Sequence, residues 1–196
     1  MAPRRPAGVV LFPGSGSSAA HPSLVSLAGA FAPLPVLRAD FPYRRAGRAF
    51  PDRTPVLVQC VRDEVRAFAA SIGVPTSRII IGGRSLGGRM CSMAVADDDD
   101  PLRVAGLVLV SYPLHPPGRP GSKRTEHLPG VGIRTLCVSG TRDTFGTPAE
   151  LRRAFRRVPG DVTWHFVEGK GHDLKKADDE VNAAVRAWVV PGRPRG

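Results

Sequence analysis

Lysine is scarce in this chain: of 28 cationic residues, only Lys123, Lys170, Lys175 and Lys176 are lysines and the rest are arginines. Aromatics are also few, at 6% with two tyrosines, and no basic run is interleaved with them, which argues against a nucleic-acid surface despite a formal net charge of +11. Four of the positive charges, Arg4, Arg5, Arg193 and Arg195, fall in proline-rich ends (1–6 and 191–196) expected to be disordered, and the others are scattered among helices and loops singly or in adjacent pairs. Cysteine is limited to Cys60, Cys91 and Cys137, an odd number set in apolar stretches; this argues against a disulfide framework and favours a reducing compartment. No apolar run reaches membrane-spanning length, and the stretch Ala7 to Phe12 is too short for a signal-peptide core. The histidines and cysteines lack metal-ligand spacing, and the run Asp97 to Asp100 reads as a solvated helix end. These absences predict a cytoplasmic protein, monomer or homodimer, with no metal, no cofactor, no nucleic-acid partner and no membrane contact.

What is present suits a single domain over 1–196 with one continuous core. The 22 glycines and 20 prolines are too many for a helical bundle. Strand-like apolar runs alternate with helical patterns along the whole chain, which predicts a three-layer α/β/α sandwich around a mostly parallel sheet. Strands are expected at Gly8 to Phe12, Pro35 to Arg38, Arg78 to Gly82, Val104 to Ser111, Ile133 to Ser139 and Val162 to Val167. Helices are expected at Pro22 to Phe31, Val56 to Ile72, Leu86 to Val95, Pro148 to Val158 and Lys175 to Val189. Ile79-Ile80-Ile81 is a β-branched run that suits a strand buried on both faces, hence the centre of the sheet. Tyr112 to Gly132 shows no periodicity and many prolines, so it is expected to be a surface loop.

Gly83-Arg84-Ser85-Leu86-Gly87 is a G-x-S-x-G motif lying between that central strand and a helix. There the serine must take a strained turn conformation, and glycines on both sides keep clear the space where backbones approach. A serine hydroxyl attacks a carbonyl only if a base removes its proton. His172, in the loop after the last strand, is placed to project over the carboxyl edge of a parallel sheet. His165 lies inside that strand, and His21, His115 and His127 come too early in the chain. Asp143, just after the strand Ile133 to Ser139, supplies a carboxylate to orient the imidazole, in the order serine, aspartate, histidine; a turn or N-cap role is its alternative. Asp173, as the neighbour of His172, is the weaker rival. Charge developing on the carbonyl oxygen calls for two backbone N–H donors, expected from Leu86 and, in the first glycine-rich turn, Ser15. That turn, Pro13-Gly14-Ser15-Gly16-Ser17-Ser18, lacks the lysine of a phosphate loop and the spacing of a dinucleotide fingerprint.

These motifs, together with Tyr112-Pro113-Leu114-His115-Pro116-Pro117-Gly118, Arg124-Thr125-Glu126-His127-Leu128, Gly140 to Gly146 and Gly171-His172-Asp173-Leu174, resemble the α/β-hydrolase superfamily over nearly the whole chain. Within it the resemblance is to the dienelactone-hydrolase-like branch that includes testis-expressed protein thirty and the third subunit of the nuclear NSL acetyltransferase complex. It implies the α/β-hydrolase fold and a hydrolase site. Two departures stand out: Pro13-Gly14 replaces the His-Gly of relatives, and Ser85 replaces the cysteine nucleophile of dienelactone hydrolases proper, whose substrate is therefore not carried over.

Larger relatives insert a helical cap where this chain has Tyr112 to Gly132, so a capless, minimal version of the fold with a shallow, open pocket is expected. Arg84, Arg89, His115, Arg119, Arg124 and His127 would make that pocket basic, with Arg84, His115, Arg119 and His127 as candidate substrate-binding residues and a small, anionic acyl compound as candidate substrate. Hydrolysis of a carboxylic ester or thioester through an acyl-enzyme on Ser85 is the leading expectation. A catalytically silent binding or scaffold protein and an acyltransferase are the alternatives.

Overall fold

The computed structural model describes residues 5–189. Six parallel strands form one sheet in the order β2-β1-β3-β4-β5-β6. They are β1 (Gly8–Phe12), β2 (Val36–Arg38), β3 (Ile79–Arg84), β4 (Gly106–Val110), β5 (Thr135–Gly140) and β6 (Val162–Val167). The helices are α1 (Pro22–Gly29), α2 (Pro42–Arg45), α3 (Thr54–Ser71), α4 (Leu86–Val95), α5 (Pro148–Phe155) and α6 (Asp178–Val189). Parallel strands bury both faces, and the triple isoleucine of β3 shows how: Ile79 and Ile81 join the core under α3, α4 and α5, while Ile80 joins the core under α1 and α6. Cys60, Cys91 and Cys137 are free and buried.

The order of the strands positions the site. After β2 the chain crosses back over β1 to lay β3 on the other side, so the connections diverge between β1 and β3, and their carboxyl ends bound a crevice. The register matches Phe12 with Gly83, Arg84 with Val110, and Gly140 with Val167, so these strands end at nearly one level. Loops leaving that edge therefore meet above it.

Three differences from the sequence expectations have physical causes. Helix α2 lies in the arginine-rich loop and is only four residues long, too short to show a period. The segment Tyr112 to Gly132 is not purely a surface loop: Tyr112, Leu114, His115, Thr125 and Leu128 are buried, and a 3₁₀ turn spans Leu128–Gly130. Its apolar residues are too widely spaced to signal an element, yet they plug the sheet edge. Of the expected tails, 1–4 and 191–196 lie outside the described residues, whereas the Arg5 carbonyl accepts a hydrogen bond from Arg78 Nε at 3.2 Å. Asp97 and Asp100 pair with Arg62, and Asp100 also with Arg66. No cluster suited to a metal ion occurs among the described residues. None of their helices is long and apolar enough to cross a membrane.

Candidate active site

Ser85 sits at the turn between β3 and α4 with φ 47° and ψ −113°. A non-glycine residue at this positive φ stores strain of about 1–3 kcal/mol, which the surrounding structure must hold. Here two backbone hydrogen bonds hold it: the Ser85 N–H donates to the Val110 carbonyl and the Ser85 carbonyl accepts from the Arg89 N–H. The flanking glycines are required by the end of β1. A Cβ on Gly83, whose φ is 155°, would lie 2.0 Å from the Phe12 carbonyl oxygen, and one on Gly87 would lie 2.3 Å from it. The motif's glycines thus admit the first strand as well as the helix, a closer approach than strand against helix alone.

Ser85 Oγ lies 2.9 Å from His172 Nε2, and His172 Nδ1 lies 2.9 Å and 3.1 Å from Asp143 Oδ2 and Oδ1. The three side chains come from the ends of β3, β5 and β6. Several contacts fasten the last two loops together. The Arg142 N–H donates to the Lys170 carbonyl at 2.8 Å, and the Gly169 N–H donates to Thr141 Oγ1 at 2.8 Å. Asp143 is buried, and its Oδ1 also accepts from the Phe145 N–H at 2.8 Å. The turn role and the imidazole-facing role of this aspartate therefore coexist. The turn runs into α5 through a capping box between Thr147 and Glu150, which stops it from drifting. Asp173 turns its backbone toward the site: its carbonyl accepts from Arg84 at 2.6 Å.

A cleft of about 510 Å³ opens over Ser85 and includes Ser15, Leu86 and His172 in its walls. The Leu86 N–H belongs to the first turn of α4, so no carbonyl of its own helix can accept from it, and the helix dipole adds positive potential there. The Ser15 turn is anchored from below by Tyr43, whose buried hydroxyl donates to the Ser15 carbonyl at 2.8 Å.

Of the four residues expected to bind substrate, only Arg84 lines the cleft, and its guanidinium is engaged by the Asp173 carbonyl. His115 is buried, 3.6 Å from Glu150, away from the cleft. His127 packs behind the wall with Nε2 2.8 Å from Ser92 Oγ, and burial together with the charge of Arg89 pushes its pKa down to about 4. Arg119 is exposed on the loop outside the cleft. A histidine in a proline-rich loop carries no local signal of which way it faces. The cleft neighbours that escaped sequence reasoning include Tyr43, Ser111 and Phe145, whose ring stacks on His172 at 4.0 Å. Only Phe145 had a signal, as an aromatic two residues beyond the aspartate.

The profile of the alpha/beta hydrolase domain family matches residues 5–187, and the chain belongs to this family. Solved structures with the same fold include an alpha-beta serine hydrolase homologue from Coxiella burnetii, at 15% identity, 94% coverage of this chain and 86% of that one, with a TM-score of 0.74. Est1E from Butyrivibrio proteoclasticus with ferulic acid bound matches at 15% identity, 93% and 88% coverage, and a TM-score of 0.73. A dienelactone hydrolase from Anabaena variabilis matches at 20% identity, 95% and 87% coverage, and a TM-score of 0.69.

Proposed function

We propose that this protein is a serine hydrolase that cleaves a small carboxylic ester or thioester, and that it belongs to the dienelactone-hydrolase-like branch of its family. The observation that carries the reading is the unbroken hydrogen-bond chain from Ser85 Oγ through His172 to the buried Asp143. In this reading Ser85 Oγ attacks the substrate carbonyl carbon as its proton passes to His172 Nε2. Asp143 keeps the other ring proton on Nδ1 and stabilises the imidazolium. The carbonyl oxygen becomes an oxyanion facing the N–H groups of Leu86 and Ser15. Collapse expels the alcohol or thiol, which takes the proton from His172, and leaves the acyl group on Ser85. A water then attacks the acyl-enzyme by the same proton route, releasing the acid and restoring the hydroxyl.

Replacing Ser85 with Ala should abolish turnover of para-nitrophenyl butyrate while the circular dichroism spectrum stays that of the unvaried protein. A fluorophosphonate should label the unvaried protein at Ser85. Undiminished turnover in S85A, or labelling elsewhere, rejects the assignment.

A further inference from the structure

Two arginines line the cleft beside Ser85 without a carboxylate to neutralise them. Arg89 lies one helical turn beyond Ser85, on the same side of α4, and Arg124 enters from the loop that follows β4. Neither forms an ion pair among the described residues, whereas Arg45, Arg48, Arg62 and Arg66 all do. Arg89 Nε is buried with no acceptor. The wall behind it is neutral: Tyr112 donates its hydroxyl to the Arg124 carbonyl, Ser92 bonds to His127, and His127 is uncharged above about pH 4. Glu126 is close enough to be felt electrostatically by Arg89, but it is exposed and makes no ion pair with it. Burial lowers the pKa of Arg89, and the neighbouring charge of Arg124 lowers it further. A half-buried guanidinium with a buried, unpartnered N–H beside an open cleft has donor capacity left for a ligand. Arg84, the third arginine of the cleft, also forms no ion pair, but the Asp173 carbonyl accepts from it at 2.6 Å, whereas Arg124 Nη1 reaches the Pro113 carbonyl only at 3.5 Å.

We infer that Arg89 and Arg124 form a carboxylate-binding subsite, and that the ester cleaved at Ser85 carries a free carboxylate docked there. The inference rests on the reading of Ser85 as nucleophile and sharpens it. Guanidinium forks match carboxylate geometry, and two of them beside one nucleophile would orient the ester carbonyl toward the Leu86 N–H.

The test uses two matched pairs of esters. The para-nitrophenyl monoester of adipate against para-nitrophenyl hexanoate places the charge on the acyl side. The acetate of para-hydroxybenzoate against that of its methyl ester places it on the leaving side. The anionic member of one pair should be preferred by about 10- to 100-fold in kcat/KM, the range of a charge-assisted contact. Arg124→Gln should bring that preference below about threefold, and Arg89→Gln should do likewise if it folds. Turnover of the neutral esters with no preference in either pair overturns the subsite and leaves the nucleophile standing. If none of the four esters is turned over, absence of fluorophosphonate labelling at Ser85 overturns the nucleophile, and calorimetry with adipate decides the subsite. Saturable binding weakened in R124Q supports it, and no binding overturns it.

Discussion

Asp143→Asn is the sharpest probe of the hydrogen-bond chain, because its effect can be worked out atom by atom. Oδ1 of Asp143 accepts the Phe145 N–H at 2.8 Å, and this backbone donor will keep an oxygen in that position after substitution. The new NH₂ group must then occupy the position of Oδ2, 2.9 Å from His172 Nδ1 and 3.3 Å from Ser139 Oγ, which can accept from it. An NH₂ donor facing Nδ1 requires that nitrogen to be unprotonated, which moves the ring proton to Nε2. Ser85 Oγ, 2.9 Å away, would then face a donor instead of an acceptor and lose its base. The fold should hardly notice: size is conserved and each polar atom keeps a partner, so the stability change should stay within about 1 kcal/mol. The rate should fall about 10³- to 10⁴-fold at neutral pH, equivalent to about 4–5.5 kcal/mol of transition-state stabilisation. Stopped-flow assay of para-nitrophenyl butyrate, with thermal melts on the same sample, reads both quantities. If D143N keeps a tenth of the activity with an unchanged melt, the imidazole does not depend on this carboxylate, and the assignment of Asp143 fails.

Two further substitutions test the supports. Tyr43→Phe removes the hydroxyl that ties down the Ser15 carbonyl; because Ser15 is exposed and water can replace that donor, the melt should show a loss of only about 1 kcal/mol, while kcat should fall about fivefold as the N–H donor loses its fixed position. An unchanged kcat would remove Ser15 from the oxyanion site. His127 has a folded pKa depressed by burial from 6.5 to about 4, so the native state resists protonation and the unfolded chain does not. The stabilisation is complete above about pH 6.5 and is lost as pH falls toward 4, by about 3 kcal/mol in all. Melts between pH 7 and 4 should show this decline, and His127→Gln should flatten it; an equal decline in both proteins places the titration elsewhere.

How much of the site is legible in the sequence depends on how local each signal is. Strands β1 and β6 and helix α4 lie where the sequence places them, because each is bounded by a glycine, proline or charged turn and keeps its period to the end. The meeting of Ser85, Asp143 and His172 was legible because each follows a strand in a parallel sheet. Such strands end at one edge whatever their order, so residues just past those ends must share a rim. Position along the chain was enough to bring them near one another, and only the distances were missing. Orientation within a loop has no such rule. His115 and His127 belong to the same segment as Arg124, yet the first points to Glu150, the second packs behind α4, and the third opens into the cleft. What separates them is which side chains the buried Tyr112, Leu114 and Leu128 drag inward, a packing outcome that involves residues far apart in sequence. The Tyr43 hydroxyl on the Ser15 carbonyl bridges 28 positions and is hidden for the same reason. Residues just past the strand ends are therefore readable from their places in the chain, while which side chains of Tyr112 to Gly132 face the cleft is decided by packing.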